Sequence, residues 1–268
     1  MPLESYLRDK LNEKDMLLMT HIVLGYPSFD ACFRIVETMV EAGVDLMELQ
    51  IPFSEPIADG PVILHANQKA LSGGTTVQGC LDFAHRVTAA FDIPFLFMSY
   101  YNIFFRYGVE RFVSAMAERG IKGAIVPDLP PEEGVEYLKA MEEHAMAPIF
   151  IFSPTTPLGR MRYISSFASG FIYCVARRGV TGADTDFSEE MAAYLNRCRE
   201  ATRLPLALGF GIKAKSDVDF LRGRAHIAVI GTQAIRIMEG EGIDSLGDFI
   251  RGLVSAPRYR NMDVDAVA

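Results

Sequence analysis

The run DLMELQIP, residues 45–52, is short, almost continuously apolar and closed by a proline. Runs of this kind are typical of strands buried on both faces, and parallel sheets bury both faces. The 268-residue chain contains seven more such runs. They are HIVLGYP from His21, IPFLFMS from Ile93, GAIVPD from Gly123, APIFIFSP from Ala147, GFIYCVAR from Gly170, LPLALGFGI from Leu204 and IAVIGTQ from Ile227.

Segments with helical periodicity separate these runs. In Phe29–Gly43 the apolar residues between Cys32 and Val40 fall on one face, and the segment ends in a glycine, which often closes a helix. Similar segments span residues 109–120, 131–145, 188–202 and 215–222. The alternation of strand and helix predicts a βα repeat, in which crossover helices connect parallel strands.

Eight βα units in about 250 residues predict a (β/α)8 TIM barrel. An open doubly wound sheet has similar local patterns and is the alternative. We expect a single domain over residues 1–268, with an extra N-terminal helix that covers the bottom of the barrel. The second and third runs begin 48 residues apart, at Asp45 and Ile93, so the loop and helix between them are expected to be enlarged.

Composition excludes several classes of protein. Half of the residues are hydrophobic, which argues against disorder, and 34 acidic residues against 26 basic ones argue against a nucleic-acid binder. No apolar stretch approaches the roughly 20 residues of a membrane helix, and the charged N-terminus does not resemble a signal peptide. The cysteines form no CxxC pair, so we expect buried free thiols and a cytoplasmic location. They are Cys32, Cys80, Cys174 and Cys198.

The active site of such a barrel lies at the carboxyl ends of the strands. Glu48 stands between Met47 and Leu49 in the second run, where alternation predicts that it points into the barrel. Desolvation favours the protonated form of a buried carboxyl group, which then suits general acid–base catalysis. Asp59 follows in the loop after this strand. The alternatives are a structural Glu48 paired with a lysine, and an Asp59 that only forms a turn before Gly60.

Glycines follow the last three predicted strands, in Ala176–Asp186, Gly209–Ala214 and Gly231–Ala234. Such glycines let backbone N–H groups face an anion, so these loops predict a phosphate site, although tight βα turns use glycine too. Gly209–Ala214 also matches the dinucleotide pattern GxGxxA. That pattern belongs in the first βα unit with an acidic residue about 20 residues later, so a nicotinamide site is not favoured.

Signatures of other chemistry are weak. The five histidines form no HExxH motif or close pair, so no metal site is predicted, and neither a P-loop nor a GxSxG elbow occurs. The aromatic segment SYYNIFF (Ser99–Phe105) lies at a strand end. Tyr100 within it is a candidate wall for a pocket that accepts a flat ring, and core packing beneath the next helix is an equally good interpretation.

Seven segments in chain order resemble one family, the tryptophan synthase alpha subunit. They are MELQIPFSEPIADGPVILHAN from Met47, LFMSYYNIFFRYG from Leu96, IVPDLPPEE from Ile125, APIFIFSPTTP from Ala147, RRGVTGA from Arg177, LGFGI from Leu208 and GTQAI from Gly231. The strand-two segment and the GVTG loop are the most specific. The resemblance extends over essentially the whole chain.

The resemblance implies a (β/α)8 barrel that cleaves indole-3-glycerol phosphate to indole and glyceraldehyde 3-phosphate, with no metal or cofactor in this chain. It implies that Glu48 acts as acid and base and that an ionised Asp59 binds the ring N–H. It also implies a beta subunit that carries pyridoxal phosphate, in an alpha2beta2 tetramer. The implied phosphate ligands are Gly182, Gly211, Gly231 and Thr232, and the implied residues around the substrate are Tyr173, Phe210 and Ile63. Thr181, also in the substrate pocket, is implied as the closing-loop residue that positions Asp59.

The sequence departs from the family pattern at several positions. This chain has Val23–Pro27 where the family usually has a segment such as Thr-Ala-Gly-Asp-Pro, and Gln50 where the family has Gly. It has Glu55 where the family has Asp, Leu64 where it has Gln, and Thr232-Gln233 where Ser-Ala is common. Gln50 is expected to alter the hydrogen bonding of Glu48, and Glu55 to affect coupling to the beta subunit. A divergent relative that mainly binds and activates a partner synthase, and another phosphate-binding barrel lyase or isomerase, are the alternative functions.

Overall fold

The structure is a computed structural model that describes residues 1–175, 189–209 and 211–254. Its strands are β1 (Leu17–Val23), β2 (Leu46–Gln50), β3 (Phe95–Met98), β4 (Gly123–Ile125), β5 (Ala147–Phe152), β6 (Ile172–Val175), β7 (Leu206–Gly209) and β8 (Ile227–Ile230). All neighbours pair in parallel, and β1 also pairs with β8, so the sheet closes into a barrel. The (β/α)8 prediction is confirmed, and closure rules out the open doubly wound sheet.

Helices surround the barrel. They are α1 (Leu3–Glu13), α2 (Phe29–Glu41), α3 (Pro61–Ser72), α4 (Val77–Ala90), α5 (Tyr101–Tyr107), α6 (Val109–Glu118), α7 (Val135–Glu143), α8 (Leu158–Ser165), α9 (Glu189–Ala201), α10 (Lys215–Leu221), α11 (Thr232–Gly240) and α12 (Ile243–Leu253). The long interval after β2 holds two helices, α3 and α4. The segment predicted as one helix over 131–145 divides into a 3-10 turn, Pro131–Glu133, and α7.

Each strand buries both of its faces. Alternate residues, such as Leu17 and Met19 of β1, belong to a cluster inside the barrel, while Leu18 and Ile22 of the same strand pack with the surrounding helices. Leu3 and Leu7 of α1 join the inner cluster. The N-terminal helix therefore closes the bottom of the barrel, which leaves the carboxyl ends of the strands as the open end.

The first strand begins earlier than the sequence predicts. β1 starts at Leu17, four residues before His21, and all seven of its residues are buried. The four cysteines are free and buried. Within the described ranges no helix has both the length and the apolar character needed to span a membrane, and no three metal-ligating side chains cluster.

Candidate active site

A cavity of about 890 Å³, including its open mouth, lies at the carboxyl end of the barrel. Residues from β1, β2, β3, β4, β5, β6 and β8 and from the loops after β2, β4, β7 and β8 form its walls. Its lining includes His21, Glu48, Ala58, Asp59, Ile63, Tyr173, Gly211, Lys213, Gly231, Thr232 and Arg236. Two carboxyl groups and the glycine loops therefore face one space.

Glu48 points into this cavity from β2 and is almost fully buried. The register of β1 and β2 places His21 directly opposite Glu48. His21 Nδ1 lies 2.8 Å from Glu48 Oε1, and the Tyr173 hydroxyl lies 3.5 Å from the same oxygen. Burial alone would lower the pKa of His21, but the hydrogen bond and charge of Glu48 more than offset it, so the pKa is raised. The contact with Glu48 thus stabilises the protonated form of His21.

Asp59 reaches the cavity from the loop after β2. Gln50 Nε2 donates to Asp59 Oδ2 at 2.6 Å, and the Tyr100 hydroxyl donates to the same oxygen at 3.2 Å. The Ala58 N–H donates to the Tyr100 hydroxyl, which directs the hydroxyl proton toward Asp59. Burial raises the pKa of Asp59, while the Gln50 hydrogen bond and the His21 charge oppose that rise. These groups fix the carboxyl group and partly offset the effect of burial, and the pKa of Asp59 stays above its ordinary value.

Buried polar atoms without partners gather around the two carboxyl groups. In the described ranges the buried side-chain atoms that lack a hydrogen bond are Thr20 Oγ1, His21 Nε2, Glu48 Oε2 and Gln50 Oε1. A buried polar atom left unpaired costs about 1–3 kcal/mol, so native structures keep few of them. Three of the four belong to the His21–Glu48 pair and to Gln50, which is a pattern expected of groups that a bound molecule completes.

The wall opposite Glu48 depends on a small residue. A Cβ added to Gly209 of β7 would lie 2.3 Å from Tyr173 Cε1 and 2.5 Å from its hydroxyl oxygen. Only glycine leaves room for this buried ring, whose hydroxyl approaches Glu48. Ile63 of α3 adds an apolar side to the cavity.

The loops after β7 and β8 form the other end of the cavity. Gly211 has φ +89°, a conformation that favours glycine. Gly231 is the N-cap of α11, so Thr232 and the following N–H groups open a helix N-terminus suited to an anion. Lys213 and Arg236 also line the cavity. Sequence reasoning missed both cations, although Arg236 lies four residues after Thr232 and is therefore on the same helix face.

Some expectations about the site need correction. Tyr100 is buried and lies behind Asp59, stacked on Phe53 with ring centroids 5.1 Å apart, and is not part of the cavity wall. Gln50 bonds to Asp59 instead of Glu48, because the loop after β2 folds back over its own strand end. Thr181, Gly182 and Phe210, as well as the Ala176–Asp186 loop, lie outside the described residues.

Three departures from the family pattern have defined positions. The Tyr26 hydroxyl donates to Glu239 of α11 and so connects the loop after β1 with the helix that follows β8. Leu64 is half-buried on α3, and Glu55 is exposed in the loop after β2.

The fold and cavity define a (β/α)8 barrel of the enzyme type, with two carboxyl groups and a helix N-terminus at one cavity. A family model described as "Tryptophan synthase alpha chain" matches residues 7–251. The tryptophan synthase alpha chain of Desulforapulum autotrophicum is 62% identical over 94% of this chain and 99% of its own, and that of Syntrophotalea carbinolica is 61% identical with the same coverage.

Solved structures agree with the sequence comparisons. Tryptophan synthase of Mycobacterium tuberculosis superposes with a TM-score of 0.87 at 28% identity, covering 94% of this chain and 96% of that one. The subunit alpha of Legionella pneumophila gives 0.84 at 27% identity, covering 94% and 96%. The chain belongs to the tryptophan synthase alpha chain family. It is therefore a lyase that cleaves indole-3-glycerol phosphate, a reaction for which the alpha subunit needs no cofactor.

Proposed function

We propose that Glu48 and Asp59 carry out this cleavage and that the loops after β7 and β8 hold the phosphate. The observation that carries the proposal is that both carboxyl groups line one cavity with Gly211, Gly231 and Thr232. A phosphate at the N-terminus of α11 would leave the indole ring to extend toward Glu48 and Asp59. Tyr173 and Ile63 are then the substrate contacts among the described residues.

The chemistry follows from the two carboxyl environments. Protonation of the indole at C3 gives an iminium-like ring, which an ionised Asp59 stabilises by accepting the ring N–H. Glu48 supplies that proton and takes one from the C3′ hydroxyl of the glycerol chain. The C3–C3′ bond then breaks, its electron pair returns to the ring, and indole leaves with an aldehyde as the second product.

Asp59→Asn tests this assignment. We expect it to lower kcat for indole release by about 10²-fold or more, because an amide does not stabilise the cationic ring. The measurement is indole release from indole-3-glycerol phosphate, with and without a beta subunit. Asp82→Asn on the exposed face of α4 is the control. Equal turnover by wild type and Asp59→Asn in both conditions would disprove the assignment.

Gln50→Leu is expected to move the acid limb of the pH–kcat profile to higher pH. Gln50 lowers the pKa of Asp59, so its loss raises that pKa further and Asp59 loses its charge at a higher pH. His21, Glu48 and Tyr100 also face Asp59 and remain in place. Gln78→Leu removes a similar Gln-to-Asp hydrogen bond from exposed α4 and should leave the profile unchanged. A shift of the limb to lower pH would contradict the role of Gln50.

Arg236→Gln is expected to raise KM for the substrate while kcat changes little. A cation near a bound phosphate contributes to ground state and transition state alike, since the phosphate does not react. Steady-state kinetics measures the split. Arg251→Gln on α12, which loses only an exposed ion pair with Asp248, is the control. An unchanged KM would show that Arg236 does not contribute to binding of the phosphate.

A beta subunit is the proposed partner, in an alpha2beta2 tetramer, with pyridoxal phosphate bound by that partner. Ile57, Phe105 and Val135 are large exposed apolar side chains, and they follow the carboxyl ends of the consecutive strands β2, β3 and β4. Such residues on one rim favour a protein contact. Sedimentation of the chain with a beta subunit tests the assembly.

A single domain and a cytoplasmic location complete the proposal. All eight strands belong to one barrel, which supports one domain. Four free buried thiols fit a reducing compartment.

A further inference from the structure

The pairing of His21 with Glu48 is a feature that the cleavage chemistry above does not use. The two residues face each other across β1 and β2, and their side chains are 4% and 5% exposed. His21 Nδ1 lies 2.8 Å from Glu48 Oε1. Both residues line the cavity, so the pair is part of its wall and not of the core beneath it.

The contacts of Glu48 distinguish its two oxygens. Oε1 has both His21 Nδ1 and, more distantly, the Tyr173 hydroxyl beside it, whereas Oε2 is buried without a hydrogen-bond partner in the described ranges. His21 Nε2, on the other side of the ring, also lacks a partner with hydrogen-bond geometry, although the Gln50 side chain interacts with His21 and helps to raise its pKa. A histidine present only to satisfy a core carboxylate would not leave polar atoms on both members unpaired at a cavity wall.

We propose that His21 is a positioning residue for Glu48, holding Oε1 through Nδ1–H and so fixing the orientation of the carboxyl group that exchanges protons with the substrate. The inference rests on the proposed role of Glu48. In each turnover the Glu48 carboxyl group gives a proton to C3 of the indole and takes the proton of the C3′ hydroxyl. His21 keeps its own proton on Nδ1 throughout and stabilises the carboxylate whenever Glu48 is ionised.

The electrostatics of the pair agree with this arrangement. Glu48 raises the pKa of His21 despite burial, and Asp59 and Gln50 add to that rise. A hydrogen-bond donor on Oε1 also offsets the cost of an ionised carboxylate in a buried site.

Two substitutions of His21 test the proposal. His21→Leu removes the donor and approximately keeps the volume, and we expect kcat to fall about 10-fold to 100-fold while KM changes by less than about 3-fold. His21→Asn places an amide nitrogen where Nδ1 stands, so kcat should return to within about 5-fold of wild type. Thermal unfolding identifies any variant that is not folded. If His21→Leu does not fold, the comparison of kcat between His21→Asn and wild type still tests the proposal. A folded His21→Asn variant with a kcat as low as that of Glu48→Gln would overturn it.

A double variant tests whether His21 acts through Glu48. We expect His21→Leu to lower kcat no further in a Glu48→Gln background, because the proton-exchanging carboxyl group that it positions is gone. His226 is the control, since it accepts the Leu206 N–H at the bottom of the barrel. His226→Leu should lower thermal stability without changing kcat. Wild-type kcat in His21→Leu, or additive losses in the double variant, would overturn this inference alone. Full activity in Glu48→Gln would instead overturn the proposed function.

Discussion

Replacement of Glu48 by Gln is expected to lower kcat for indole release by about 10²–10⁴-fold. Glutamine has nearly the same shape, and its amide oxygen can still accept the His21 Nδ1–H, so the pairing across β1 and β2 is kept. What disappears is a group that both gives and takes a proton. The measurement is steady-state indole release with saturating beta subunit, together with thermal unfolding of both proteins.

The control for Glu48→Gln is the same substitution on the surface. Glu37 is exposed on α2, away from the cavity, and Glu37→Gln should keep wild-type kcat. If Glu48→Gln retained more than half of wild-type kcat while folded, proton transfer would have to involve another residue.

Gly209→Ala is expected to destabilise the protein by about 1–3 kcal/mol, since its Cβ would overlap the buried ring of Tyr173. Because the Tyr173 hydroxyl approaches Glu48 Oε1, displacement of the ring should also lower kcat/KM. Denaturant unfolding measures the first effect and steady-state kinetics the second. The unfolding free energy of this variant therefore measures the packing at Gly209, and its kcat/KM measures the effect on the cavity wall.

Gly159→Ala is the matched control, because a Cβ at Gly159 in α8 meets nothing within 4 Å. There alanine should stabilise the helix by about 0.5–1 kcal/mol through lower chain entropy. Tyr173→Phe combined with Gly209→Ala should recover little stability, because two of the three close atoms belong to the ring itself. Wild-type stability in Gly209→Ala would mean that the ring can move at no cost.

The sequence predicts the fold well because each strand is recognisable from its own short stretch of residues. Apolar runs and glycine-terminated helices depend on near neighbours, so eight units could be counted without knowing which strands pair. Boundaries were less certain. The sequence predicts a first strand from His21, whereas β1 begins at Leu17, and Leu17 and Met19 belong to the barrel interior together with Leu3 and Leu7 of α1. Likewise, periodicity signalled a long insertion after β2 without resolving α3 from α4.

The site was predictable only in part. Glu48, a carboxylate inside an apolar run, is conspicuous in any sequence. His21 is not, because one histidine among apolar residues looks like a core residue until the register with β2 is known. Gln50 lies only two residues after Glu48 in sequence, yet it bonds to Asp59, because the fold of the loop after β2 brings that side chain to it. The net charge of −8 likewise gave no hint of Lys213 and Arg236 beside the glycine loops.

The closure of β1 on β8 sets the order in which this site can be assembled. His21 lies on the first strand, while Gly231 directly follows the last one, and a Cβ at Gly231 would lie 3.6 Å from that of His21. During synthesis the acid–base half of the cavity emerges early and its anion-binding half late. A nascent chain that ends before β8 therefore exposes β1 as an unpaired edge. The seam that completes the cavity can therefore form only late in synthesis, and only the packing of α11 and α12, such as that of α12 on α2, comes later.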